Sequence, residues 1–143
     1  MARITTYLNF DRETEEAFNF YKRVFGTEFE GEPARYADMP ASEDAPPIPE
    51  EDKNLIMHVA LPVFDGYMLR GSDTPATMGH SLIIGNNTYI HLEVDSKNQA
   101  DKLFNALKEG GTVRVEIAEQ FWGDYFGEMT DKFGVKWMVS CPV

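Results

Sequence analysis

The chain of 143 residues carries 24 acidic against 13 basic side chains, a formal charge of −11. That charge opposes a phosphate backbone and no local Lys/Arg cluster offsets it, which argues against nucleic-acid binding. It is 43% hydrophobic, enough for an ordinary core, but runs such as Leu55-Ile56-Met57 and Val59-Ala60-Leu61 are too short to cross a bilayer.

Ile4 to Phe10 alternates as a strand, with Ile4, Thr6, Leu8 and Phe10 on one face and Thr5, Tyr7 and Asn9 on the other. Asp11 suits a helix N-cap, and Ala17, Phe18, Tyr21, Val24 and Phe25 follow at helical spacing until Gly26 stops the helix. Glu28 to Tyr36 is a second strand candidate interrupted by Gly31 and Pro33. Residues 39–53 form an acidic, Pro-rich surface loop carrying Pro40, Pro46, Pro47 and Pro49. Met57 to Val63 and Tyr67 to Arg70 read as a hairpin about Asp65-Gly66, and Met78 to Gly85 has some strand character. Thr88 to Val94 is the next strand. Ser96, with Gln99 three residues on, opens a second helix with Ala100, Leu103, Phe104 and Leu107 on its apolar face, and Gly110-Gly111 stops it. Thr112 to Ile117, Tyr125 to Thr130 and Val135 to Cys141 complete the strands.

The order strand, helix, three strands therefore occurs twice. Thr6-Tyr7-Leu8-Asn9-Phe10 is matched by Thr88-Tyr89-Ile90-His91-Leu92, and a helix, a glycine stop, a strand and a hairpin follow each. The expected fold is α+β, with tandem βαβββ modules at about 1–75 and 76–143 in one domain. A ferredoxin-like fold uses four strands, against about eight expected here. Curved sheets of this kind would leave a concavity suited to a small molecule. Cys141 is the sole cysteine, so no intrachain disulfide forms. The opening Met-Ala-Arg-Ile-Thr-Thr-Tyr has no apolar signal core, and a cytoplasmic protein is expected.

Tyr7-Leu8-Asn9-Phe10, then Glu15 through Gly26 (EEAFNFYKRVFG), resembles the opening of PhnB-like proteins. Phe121 through Gly127 (FWGDYFG), then Thr130 through Val139 (TDKFGVKWMV), is similar to the end of the same group. These belong to the vicinal oxygen chelate superfamily, alongside glyoxalase I, bleomycin-resistance proteins and extradiol dioxygenases. The resemblance implies the glyoxalase-like fold and a homodimer. In metal-using relatives it implies His, Glu or Gln ligands from the first and last strand of each half. Carried onto this chain, those positions hold Tyr7, the run Tyr67-Met68-Leu69, Tyr89 and Met138. No conventional metal site is expected.

A displaced site remains: His58, His91 and Glu128 are the candidate catalytic residues, either as acid–base groups or as donors to a divalent metal. Taken alone, each reads more simply as a hydrogen-bonded core or edge residue, or as one that faces solvent. Tyr7, Tyr67, Tyr89, Trp122 and Trp137 are candidates to line a ligand pocket, though core packing competes for Trp137 on its apolar strand. Arg70, the lone basic group on its hairpin, suits an anionic ligand group or a surface salt bridge. Three functions stay open: a small-molecule-binding protein, a lyase- or dioxygenase-type enzyme, and a dimeric interaction protein.

Overall fold

In the computed structural model, which describes residues 1–143, the chain divides into two units, Met1–Ile83 and Ile84–Val143. The first holds β1 (Thr6–Phe10), α1 (Thr14–Phe25), β2 (Ala34–Arg35), β3 (Ile56–Pro62) and β4 (Met68–Asp73). The second holds β5 (Ile90–Glu93), α2 (Lys97–Leu107), β6 (Thr112–Glu119), β7 (Asp124–Thr130) and β8 (Lys136–Pro142). Their sheets run β1-β4-β3-β2 and β5-β8-β7-β6, so both units have one topology: the βαβββ module of the vicinal oxygen chelate, glyoxalase-like α+β fold.

In the first unit β1 lies parallel to β4, and β3 is antiparallel to both β4 and β2. Leu8, Gly71 and Val59 share one rung of this sheet, and the ring of Phe18 from α1 sits against Gly71. The next rung is Tyr7, Arg70 and Ala60. Because the pleat alternates, that rung faces away from α1. Ala17, Phe18, Phe20 and Tyr21 form the buried side of the helix. Gly26 ends it in the left-handed conformation (φ 67°), where a side chain is disfavoured, with its N–H donating to Lys22 O at 2.9 Å.

The start of α1 differs from the expected Asp11 cap. The helix begins at Thr14, and Glu13 at the cap position makes no side-chain hydrogen bond. Arg12 turns the chain at φ 69°, and the Thr14 N–H donates instead to Oδ1 of Asp73, at the end of β4. A tertiary carboxylate thus replaces the local one.

The strand expected over 28–36 shrinks to Ala34–Arg35. Gly31 is left-handed (φ 75°) and Pro33 has no N–H to give to a ladder, so only isolated pairing such as Glu30 N to Ala60 O precedes it. Residues 39–53 are irregular apart from the 3₁₀ turn Glu50–Asp52. Asp52 anchors that segment: it is fully buried, and accepts from Arg12 Nη1 at 2.5 Å and Thr77 Oγ1 at 2.6 Å. Late in the first unit, Ala76–Met78 forms a 3₁₀ turn and Gly79 is left-handed. No strand forms at Met78 to Gly85, since no partner strand pairs with it and Ile83 is exposed.

In the second unit Ser96 caps α2 as expected, accepting from Gln99 N at 3.2 Å. The Gln99 side chain reaches back to the N–H of Asp95, one residue before the cap. Trp137, Phe104, Leu107, Met129 and Val139 are fully buried in the core of this unit.

Candidate functional site

The sheet face of the first unit that points away from α1 brings three sequence candidates together. Tyr7 on β1 stands opposite Arg70 on β4, and Arg70 stands opposite Ala60 on β3. His58 lies two residues before Ala60, which returns it to the same face. Its ring is the centre of the group: Arg70 Nη1 donates to Nε2 at 3.3 Å, and Nδ1 lies 3.4 Å from the Tyr7 hydroxyl. The Tyr7 and His58 rings lie 5.9 Å apart between centroids. Arg70 and His58 are half-buried, and Tyr7 is 48% exposed. Arg70 has no carboxylate within salt-bridge distance, so the surface ion pair open to it in the sequence does not form.

The corresponding face of the second unit gathers His91, Glu128 and Tyr89 with three residues that the sequence reading passed over. His91 on β5 and Glu128 on β7 flank Met138 on the intervening β8. They are two strands apart, roughly 9–10 Å between backbones at ordinary strand spacing. Each is engaged separately. His91 Nε2 lies 2.8 Å from Ser140 Oγ, and its ring meets Phe126 edge to face. Glu128 is buried and paired with Arg114 Nε at 3.2 Å, while Arg114 Nη1 donates to the Tyr89 hydroxyl at 3.2 Å. Lys136 Nζ stands 6.0 Å from the Tyr89 ring and donates to Thr130. Arg114, Phe126 and Ser140 were unmarked because their importance lies in cross-strand register. A period-two reading of β8 places Ser140 on the Met138 face, which is the one signal that the sequence holds for it.

Of the other candidates, Trp122 alone adjoins one of these faces, through Phe126. Trp137 is fully buried, with its indole N–H donating to Asp131 at 2.9 Å, so it belongs to the core of its unit. Tyr67 is 64% exposed beside the Asp65-Gly66 turn. Trp122 lies in the turn before β7, packed edge-on against Phe126 and Phe121. His58 belongs to the first unit, and His91 and Glu128 to the second. No group of three His, Cys, Asp or Glu side chains is placed to hold a metal ion. The resemblance puts the ligand positions of metal-using relatives at Tyr7, Tyr67-Met68-Leu69, Tyr89 and Met138; on the faces of those four strands turned away from the helices, the structure also places Asn9 on β1, Arg70 and Ser72 on β4, His91 and Glu93 on β5, and Ser140 on β8. A guanidinium at one of those positions repels a divalent cation, and a thioether is a poor ligand for a hard one. These residues do not fit such a centre.

A cavity of about 410 Å³ lies under the Pro-rich loop, lined by Tyr36, Met39, Pro40, Pro46, Ile48 and Lys53 among others. It contains none of the candidate residues, and its lining side chains are apolar apart from Tyr36, Ser42 and Lys53.

The Glyoxalase/Bleomycin resistance protein/Dioxygenase superfamily matches residues 3–139 of the chain. Protein YjdN of Escherichia coli (strain K12) is 27% identical over 146 residues, which cover 96% of this chain and 93% of that protein. The crystal structure of protein PA1353 from Pseudomonas aeruginosa is similar with a TM-score of 0.83 and 36% identity, covering 99% of this chain and 98% of that one. The PhnB protein from Bacillus cereus shares the fold, with a TM-score of 0.75, 23% identity, and 98% and 99% of the two chains covered. No helix is long and apolar enough to cross a membrane.

Proposed function

We propose a binding function on one premise: the chain belongs to the glyoxalase/bleomycin resistance protein/dioxygenase superfamily. Within it, the chain acts as a PhnB-like small-molecule-binding protein. The observation that carries this reading is His58 standing between Tyr7 and Arg70 on the sheet face that α1 leaves uncovered. A phenol, an imidazole and a guanidinium converging on one face are enough to orient a small ligand, and binding needs no metal cluster. The PhnB-like motifs at 7–26 and 121–139 support the narrower assignment. A homodimer belongs to the same reading, supported by the exposed aromatic pair Phe121 and Trp122, and a light-scattering mass checks it.

The test is a fragment screen read by amide chemical shifts on the isotope-labelled protein. Binders are expected to move the amides of β1, β3 and β4 around Tyr7, His58 and Arg70, and His58→Ala to abolish those shifts. Hits confined to residues 36–53 would transfer the function to the loop cavity.

A second reading, acid–base catalysis with His58, His91 and Glu128 as its groups, is favoured by the 2.8 Å contact of His91 with Ser140. It predicts turnover that His91→Ala removes. Against it, Glu128 is occupied by Arg114.

A further inference from the structure

We propose that the Tyr7–His58–Arg70 face selects ligands that carry an oxyanion, a carboxylate, phosphonate or phosphate, received by Arg70 with Tyr7 as the second donor. This rests on the binding reading above and specifies the chemistry of that site.

The first observation is the state of Arg70. Two arginines of this chain are half-buried, Arg35 and Arg70. Arg35 donates to both carboxylate oxygens of Glu15, at 2.6 and 3.2 Å, and to Asn54 O at 2.6 Å. Arg70 has only the neighbouring imidazole of His58, in a chain where acids outnumber bases 24 to 13. A guanidinium partly withdrawn from water and left without an anion retains most of its five N–H donors and its full charge. Its fork geometry matches a bidentate oxyanion.

The second observation is the direction of the hydrogen bonds. Arginine only donates, so His58 Nε2 accepts, and the ring proton is then on Nδ1. Nδ1–H points at the Tyr7 oxygen, which accepts from it at 3.4 Å. The Tyr7 O–H is therefore left free to donate to another group. Both groups that border the open face, the guanidinium and the phenol, present donors to an incoming molecule. His58 acts as a positioning residue that holds both partners in that polarity. A ligand whose recognised group only accepts, with negative charge, satisfies this face. A neutral amide, with one accepting oxygen and no charge, satisfies it less well.

The probes are benzoate, phenylphosphonate and the neutral isostere benzamide, each titrated into the labelled protein. The two anions are expected to shift the amides flanking Tyr7, His58 and Arg70, and benzamide to bind about tenfold or more weakly, as expected for loss of a charge-assisted hydrogen bond. Raising the salt concentration weakens the anions and leaves benzamide unchanged. Arg70→Gln removes the anion preference, and Arg70→Lys keeps part of it. The exposed Tyr7→Phe, which tests the second donor without disturbing the core, weakens both anions. His58→Leu, which can neither accept from Arg70 nor donate to Tyr7, lowers the preference for the anions over benzamide, a ratio that loss of stability alone does not change, and His58→Gln, whose amide oxygen can accept from Arg70 while its N–H2 donates to Tyr7, restores part of it. Equal binding of all three probes at this face, unaffected by salt or by Arg70→Gln, overturns the oxyanion preference while leaving the binding face in place. Failure of every probe to perturb the face, with shifts elsewhere, overturns both.

Discussion

Arg12 and Asp52 are 40 residues apart in the chain and 2.5 Å apart in space. Arg12 occupies the left-handed region to make this contact, and Thr77 Oγ1 donates to the other carboxylate oxygen at 2.6 Å. The pair holds the end of the Pro-rich segment to the start of α1. The hydrogen bond from Thr77, and then that from Arg12, hold the Asp52 carboxyl below the usual carboxylate range. A depressed folded-state pKa means that the unfolded chain binds the proton first. The stabilisation is therefore complete above the unfolded value of about 4 and is lost as pH falls through the folded one. Melting temperatures measured from pH 7 to pH 2 are expected to fall more steeply for the natural protein than for Asp52→Asn. The variant melts several degrees lower at pH 7, and the two curves converge in acid. Parallel curves would exclude Asp52 as the acid-labile contact.

Asp73 joins three elements from one buried position. Oδ1 accepts from the Thr14 N–H at 3.0 Å, Oδ2 from the Ile56 N–H at 2.8 Å, and its backbone carbonyl from the Tyr36 hydroxyl at 2.6 Å. Asp73→Ala leaves two buried N–H groups without acceptors, at about 1–3 kcal/mol each. Urea denaturation is expected to show a loss of about 2–5 kcal/mol, with Asp73→Asn losing roughly half as much because one oxygen remains. A loss near zero for alanine would mean that water replaces the carboxylate.

Asp131 plays the equivalent part in the second unit, by a local route. Oδ1 accepts from the N–H groups of Phe133 and Val135 at 2.9 and 3.0 Å, and Oδ2 from the Trp137 indole at 2.9 Å. The turn into β8 and the largest core side chain of that strand thus depend on one carboxylate. Asp131→Ala is expected to destabilise by about 2–4 kcal/mol. In a Trp122→Phe background, where Trp137 alone reports, its emission should also shift. Unchanged emission and stability would remove Asp131 from this role.

What was legible in the sequence was what short spacing encodes. The alternation of β1, the Gly26 stop, the Asp65-Gly66 turn and the Ser96 cap each depend on neighbours a few residues away, and each is present. Asp73 as the cap of α1 was not legible, because its partner Thr14 lies 59 residues away. The same applies to the site. Tyr7, His58 and Arg70 were each nameable from residue type, but their meeting depends on β4 lying between β1 and β3 and on the register of both pairings. Trp137 was ambiguous because an apolar strand does not reveal which of its faces is covered. The Asp131 acceptor six residues earlier resolves it.

Each sheet has a glycine under its helix, but on opposite strands of the hairpin. The rung is Val59 on β3 with Gly71 on β4 in the first unit, and Gly127 on β7 with Val139 on β8 in the second. A Cβ on Gly71 would lie 2.5 Å from Cε1 of Phe18, and one on Gly127 would lie 2.6 Å from Cε1 of Phe104. Neither glycine is in the left-handed region, so the space is needed for the aromatic ring and not for the backbone. Alanine at either position is expected to cost about 1–3 kcal/mol through overpacking. The relief differs between the two. At Gly71 the contacts below 3.0 Å are both with the Phe18 ring, whereas at Gly127 the Cβ and Cα of Ile117 also intrude, at 2.8 and 2.9 Å. Trimming the ring should therefore rescue one site and not the other. A double-mutant cycle of Gly71→Ala with Phe18→Leu is expected to show favourable coupling of about 1 kcal/mol or more, and Gly127→Ala with Phe104→Leu clearly less. Chemical denaturation of the six variants measures both couplings. Equal couplings would show that the Ile117 backbone yields as readily as the ring, and would remove the asymmetry between the two hairpins.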